Sequence, residues 1–250
     1  NHIAIFGTFE DNIKNLDNNT VARYRRYEET SPKYYYNQIK GLVPDGGDHK
    51  VYYNWRRVTP AFYKSLDGFK CYGIDFGDTA PTAIVEVKYL DGQFFRREVL
   101  YKSMREILVE YEDEIKQIRT QITSVEDDTT IWGKHKGVMT FILRKLKIDE
   151  DCILFCDPAQ KSIIIELREF GYNAISAKKD KAANINFINR AENYYTDDSY
   201  NLEAEYNSYY LETDLNKTPI DGKPKKGNDH LMEASEYAVC GVRDYLGINL

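Results

Sequence analysis

The chain has no excess of positive charge. Its 34 Lys and Arg residues stand against 40 Asp and Glu, a net charge of −6 over 250 residues. That balance excludes a constitutively basic nucleic-acid coat protein, while local basic patches on an acidic enzyme remain compatible with it. No long apolar run and no signal peptide occur in the sequence, so a soluble protein with no membrane span is expected. The phosphate-binding pattern G-x-x-x-x-G-K-[ST] is absent, which excludes a complete P-loop ATPase motor. Position 1 is Asn1 rather than Met, so a fragment or processed product is expected. Cysteine is scarce, and Cys71, Cys152, Cys156 and Cys240 form no C-x-x-C pair. A zinc site is therefore not expected, and the four read as reduced core residues in a reducing cytoplasm.

Apolar residues make up 42% of the chain, enough for a sizeable core. The length allows one large domain, or one domain with an extension. Tyrosine is abundant at 21 residues, with clusters at Tyr34–Tyr36 and Tyr209–Tyr210. Such clusters can stack bases, but partly buried rings with wet hydroxyls are the expectation. Residues 1–68 are polar and rich in Asn and Tyr, and "PDGGD" breaks them at 44–48. A short strand over "HIAIFGTF", a charged helix around 20–30 and a loop over 54–57 with a Trp-Arg-Arg stretch are expected there. With no self-contained core, 1–68 reads as an extension to a domain spanning 69–250.

From Cys71 the pattern becomes regular. "CYGIDF" reads as a buried strand, and "TAIVEVKYL" and "QFFRREVLY" alternate on either side of Asp91-Gly92. Asp-Gly between alternating runs signals a hairpin. A helix over 103–122 carries Met104, Ile107, Leu108, Tyr111, Ile115 and Ile118 on one stripe. Further helices are expected over 136–147, over "AQKSIIIELREFG" up to Gly171, over 180–192, and over "DHLMEASEYAVCGVRDYL". "CILFC" at 152–156 suits a central strand and "YNAISA" another, whereas "NLEAEYNSYYL" is ambiguous. The resulting order is that of an α/β, RNase H-like (resolvase/integrase-type) mixed sheet flanked by helices, with an N-terminal extension.

Acidic residues fall where such a sheet collects ligands, at the carboxyl ends of strands. Asp75 ends the first strand. Asp157 follows "CILFC" and is followed by Pro158, which stops the strand. Asp229 and Glu233, four apart, share one face of the last helix. A lone Asp at a strand end is usually a cap or turn former. Convergence of three acidic positions gives these more weight. Carboxylates without a Lys or Arg partner repel one another, and Mg²⁺ or Mn²⁺ relieves that repulsion through hard oxygen ligands. Two such ions suit phosphodiester displacement. Asp78, after Gly77, reads as a turn former.

The stretches "YGIDFGDTAPTAIVEV", "ILFCDPAQKSIIIELREFGYNAISAKKDK", "EAEYNSYY" and "NDHLMEASEYAV" resemble the nuclease half of the large terminase subunit of tailed bacteriophages, in family order over most of 70–246. Residues 1–68 resemble the end of that family's ATPase half and its linker. The resemblance implies an RNase H-like, two-metal endonuclease that cuts concatemeric double-stranded DNA during packaging. It implies the portal, procapsid and small terminase subunit as partners, and the host cytoplasm as location. The isolated chain is expected to be monomeric. The family's strand aspartates fall on Asp75 and Asp157. Its last-helix His followed three residues later by Asp reads here His230 and Glu233. The added methylene alters metal geometry, so Asp229 can share the duty. His230 can bind a metal, steady the scissile phosphate, or be a surface residue.

Duplex DNA calls for local positive charge. Lys178, Lys179 and Lys181, and Lys223, Lys225 and Lys226, are expected to border the acidic site and hold phosphates. Arg144, Lys145 and Lys147 read as solvated charge. Glu166, Glu205 and Tyr209 read as structural or supporting residues. "GIDFGDT" also resembles the first phosphate loop of actin-like and sugar-kinase ATPases, but "FCDPAQKS" lacks that family's second glycine segment. A Holliday-junction resolvase and a non-catalytic DNA-binding or procapsid-docking module are the other readings. Plasmid nicking with metal separates the last from an enzyme, and nucleotide binding tests the ATPase reading.

Overall fold

A computed structural model describes residues 9–10, 12–30, 35, 39, 49–122, 137–215 and 218–248. The expected strand over 2–9, except Phe9, and the "PDGGD" break lie outside the described residues. A short 3₁₀ turn, Ile13–Asn15, precedes α1 (Asn18–Thr30), which matches the charged helix expected around 20–30. Among the described residues the main sheet has seven strands. They are β1 (Trp55–Val58), β2 (Phe69–Asp75), β3 (Thr82–Leu90), β4 (Gln93–Lys102), β5 (Ile153–Cys156), β6 (Asn173–Ser176) and β7 (Glu192–Thr196). Their order across the sheet is β1-β7-β4-β3-β2-β5-β6. The pairs β2/β3 and β3/β4 are antiparallel, and the remaining pairs are parallel. This is a mixed α/β sheet, as the sequence pattern implies.

The hairpin turn between β3 and β4 is the expected Asp91-Gly92, with φ of 48° and 83°. Positive φ at both central residues gives the primed turn whose twist matches the strands, and Asp-Gly tolerates it. Helices follow as α2 (Pro60–Ser65), α3 (Met104–Glu110), α4 (Glu112–Ile122), α5 (Val138–Lys145), α6 (Lys161–Glu169), α7 (Lys181–Arg190), α8 (Tyr200–Ser208) and α9 (His230–Leu246). Ser103 and Glu106 form a capping box at the start of α3. The single helix expected over 103–122 is two, divided at Tyr111. A separate antiparallel pair, β8 (Leu211–Thr213) and β9 (Pro219–Pro224), lies between α8 and α9 in the chain.

Side-chain alternation sends the two faces of the sheet into two cores. Cys71, Ala83, Val85, Phe94 and Phe155 pack under α9 with Ile185, Leu202, Ala234 and Ala238. Tyr72, Ile74, Ile84, Leu154 and Cys156 pack on the other face with Met104, Ile107, Ile142 and Ile163. The loop expected over 54–57 is instead an edge strand that pairs with β7, and Val51, Tyr52 and Trp55 join the first core. Beneath them Arg96 is fully buried. It donates to Ser235 Oγ at 2.6 Å and to Asn193 Oδ1 at 2.8 Å, and it lies 4.1 Å from the Trp55 ring centroid. The guanidinium thus ties β4, β7, β1 and α9 together. No described helix is long and apolar enough to cross a membrane.

Candidate active site

Two strand ends create the site. β2 and β5 run parallel in a register that pairs Ile74 with Cys156. The next residue on each chain segment is an aspartate, so Asp75 and Asp157 emerge side by side. The Asp157 N–H continues the ladder by donating to the Ile74 carbonyl at 2.9 Å. Pro158 then ends the strand, and Asp157 Oδ1 accepts from the Ala159 N–H at 3.1 Å. Asp157 is buried and Asp75 half-buried, in surroundings where a charge needs a partner.

α9 supplies the rest. It crosses β2 so closely that a Cβ added at Gly73 would stand 1.8 Å from the Ala234 carbonyl oxygen. Glycine at 73 is what permits this approach. The first turn of α9 then lies over Asp75, and His230 Nδ1 stands 2.9 Å from Asp75 Oδ2. Glu205 from α8 holds that turn in place. Its Oε2 accepts from the Leu231 N–H at 2.7 Å and the Met232 N–H at 3.2 Å. These are donors that a helix N-terminus leaves without intrahelical partners. Asp229, at the N-cap position, makes no capping bond of its own, so its carboxylate remains available to the site.

The electrostatics record the crowding. Burial pushes the Asp75 carboxyl up; the His230 hydrogen bond opposes this, and the charges of Asp157 and Glu233 add to the rise. Burial likewise raises Asp229, with Glu233 adding to it. The bond to Asp75 raises His230 above its ordinary 6.5 against the effect of burial, favouring an imidazolium there. Two lysines meet the other acids. Lys179 Nζ is 2.9 Å from Asp157 Oδ1. Lys181 Nζ bridges Glu233 Oε1 and Glu236 Oε2.

No protein-family model and no curated protein sequence matches the chain. Solved structures do. The g2p large terminase nuclease domain of bacteriophage SPP1, determined with bound Mn, aligns at a TM-score of 0.54 and 18% identity, over 75% of this chain and 94% of that one. The fold is that of large terminase nuclease domains, which is RNase H-like. The large terminase of a thermophilic bacteriophage aligns at a TM-score of 0.54 and 20% identity, over 94% of this chain and 53% of its own. The same terminase in complex with ADP gives 0.52 and 23%, over 94% of this chain and 54% of its own. The chain thus spans about half the length of that thermophilic phage terminase.

On this terminase-nuclease fold, the five candidate site positions Asp75, Asp157, Asp229, His230 and Glu233 gather in one region. Lys179 and Lys181, expected to border the acidic site, do so as ion-pair partners of Asp157 and Glu233. Lys178 pairs with Asp244 at 3.1 Å and Lys223 with Glu212 at 2.7 Å, while Lys225 and Lys226 are exposed beyond β9. Glu166 accepts from the Gly137 N–H at 2.8 Å. Sequence reasoning missed Glu236 and Tyr52. The available signal was a charged residue, Glu236, inside the apolar run "LMEASEYAVC".

As the side chains stand, no three His, Cys, Asp or Glu groups among the described residues are disposed to hold a metal ion. The donor chemistry nevertheless suits a hard divalent cation. Asp75, Asp157, Asp229 and Glu233 lie in one region, and lysine ammonium groups take the cationic places beside Asp157 and Glu233. The Tyr209 hydroxyl, among Lys181, Glu233, Glu236 and Asp229, is buried and has no hydrogen-bond partner. An unpaired buried hydroxyl beside these carboxylates is compatible with a hydrated cation among them.

Proposed function

We propose that the chain is the nuclease part of a viral DNA-packaging terminase, a Mg²⁺- or Mn²⁺-dependent endonuclease for double-stranded DNA. The observation that carries this reading is the adjacency of Asp75 and Asp157 at paired strand ends under His230 and Glu233 of α9, on a terminase-nuclease fold. Residues 1–68 are then the tail of the ATPase half and its linker, whose last part adds the edge strand β1 to the sheet of the nuclease domain, 69–250. The portal, procapsid and small terminase subunit are its partners in the host cytoplasm.

Asp75 and Asp157 would hold the metal, with Glu233 and Asp229 completing two positions. When bound, a pair of divalent ions polarises the phosphate and lowers the pKa of a water nucleophile. His230 fixes the rotamer of Asp75 through its 2.9 Å contact and places positive charge toward the incoming phosphate. Lys179, whose side chain is 51% exposed, can swing from Asp157 to a phosphate oxygen. Lys178, Lys225 and Lys226 are the other cations of these runs that would contact the phosphate backbone without reading bases.

Supercoiled-plasmid cleavage in Mg²⁺, Mn²⁺ or EDTA tests this, run beside Asp75→Ala and Asp157→Ala. Metal-dependent nicking that both variants lose is the expected result. A folded wild-type protein that cuts in neither metal refutes the nuclease reading in favour of DNA binding or docking. Cutting that survives both substitutions refutes the site.

A further inference from the structure

Beneath α9 lies a charge network that the nuclease reading does not use. Glu236 is only 2% exposed, and both of its oxygens are engaged. Asn184 Nδ2 donates to Oε1 at 3.0 Å, Tyr52 Oη donates to Oε2 at 3.1 Å, and Lys181 Nζ donates to Oε2 at 2.8 Å. Tyr52 is in turn held by its neighbour, because the Val51 N–H donates to the Tyr209 carbonyl at 3.0 Å. The Lys181 ammonium also contacts Glu233, one turn before Glu236 on the same helix face. Lys181 opens α7, whose N-cap Asp180 bonds the Ala183 N–H, so its backbone is fixed as well.

Lys179 and Lys181 therefore differ in kind. Lys179 is half exposed and can leave its aspartate for solvent. Lys181 is anchored from below by a buried carboxylate whose other partners do not move with it. It is a permanent monovalent cation against the carboxylate that α9 offers to a divalent ion.

We propose that Lys181, anchored by Glu236 and Tyr52, sets the affinity of the acidic site for divalent cations by sharing Glu233 with the incoming ion. This rests on the nuclease reading above. A fixed positive charge a few ångströms from a dication opposes it strongly in a partly buried site, because neighbouring water screens little of the interaction. It also occupies one of the two Glu233 oxygens. Holding affinity down in this way would make metal loading depend on the phosphate that DNA contributes.

Isothermal titration of metal-free protein with Mn²⁺, without DNA, tests the proposal. Lys181→Met is expected to tighten Mn²⁺ binding by about tenfold or more, and Lys181→Arg to leave it within about threefold. The Lys181→Met change leaves buried Glu236 without its cation, so the double variant Lys181→Met/Glu236→Gln is measured beside it. That variant removes the cation and the buried anion together, so it frees the Glu233 oxygen but gives up a nearby negative charge, and it is expected to tighten binding less than Lys181→Met alone. Affinity that is unchanged or weaker in both variants overturns the proposal. Failure of the underlying reading looks different, since it would leave Mn²⁺ binding unaffected by Asp75→Ala and Asp157→Ala.

Discussion

Replacing Glu205 should loosen the helix that carries half of the site. Glu205 is 3% exposed and 26 residues from the Leu231 N–H that it accepts, so nothing local replaces it. Its carboxylate meets two backbone donors at the positive end of α9, a favourable place for negative charge. Burial raises its carboxyl pKa despite these bonds, so part of their gain is offset by desolvation. In Glu205→Ala both donors, on residues that are themselves fully buried, are left unsatisfied. Each costs roughly 1–3 kcal/mol, and the relief of burying a charge recovers a part, for a net loss of roughly 2–3 kcal/mol. For a domain of this size that lowers Tm by about 5–10 °C. Glu205→Gln keeps an acceptor in place and should lose less than about 1 kcal/mol. Thermal unfolding by calorimetry measures both, and plasmid nicking should fall in the Ala variant as His230 loses its station over Asp75. A Glu205→Ala protein that melts within about 1 °C of wild type would refute the argument that this carboxylate anchors α9.

Two further outcomes are expected. Gly73→Ala forces a methyl group into the Ala234 carbonyl, so it should destabilise by at least the roughly 1–3 kcal/mol typical of overpacking, read from urea unfolding. Glu86 is buried at 6% exposure, accepts from Tyr63 and Tyr72 at 2.9 and 2.7 Å, and lies 3.2 Å from Arg97. Burial works to raise its carboxyl, but the bonds to Tyr72, Arg97 and Tyr63 prevail and hold it below the ordinary 4.5. A depressed carboxyl contributes stability above its unfolded pKa and loses it as pH falls through the folded value. Glu86→Gln should therefore be less stable than wild type at neutral pH and lose less as pH falls below 4.5, in urea titrations at a series of pH values.

Much of the frame was legible because its signals are local. β2, the Asp91-Gly92 turn and the β3/β4 hairpin follow from alternation and turn chemistry. Asp75 and Asp157 were visible as acids closing apolar strands, and His230 and Glu233 as polar residues opening an amphipathic helix. β1 and β7 were not legible. Each is short, and "WRRV" and "ENYYT" become strands through pairing with each other and with β4, far away in sequence. The same distance hid the ion pairs. Lys179 meets Asp157 and Lys181 meets Glu233 only once β5, α7 and α9 converge, so the counter-ion role of a run that reads as a phosphate contact patch was hidden. "NLEAEYNSYYL" stayed ambiguous because Glu205 and Tyr209 face inward for partners on α9 and on the segment before β1, which its own periodicity does not reveal.

Whether the two strand-end aspartates hold metal can be seen in crystals soaked in Mn²⁺ and measured at an anomalous wavelength. Anomalous density ligated by the carboxylates of Asp75 and Asp157, with Glu233 or Asp229 alongside, is the expected result. Well-ordered crystals with an accessible site and no density between those two aspartates, or with Mn²⁺ held only elsewhere, would contradict it.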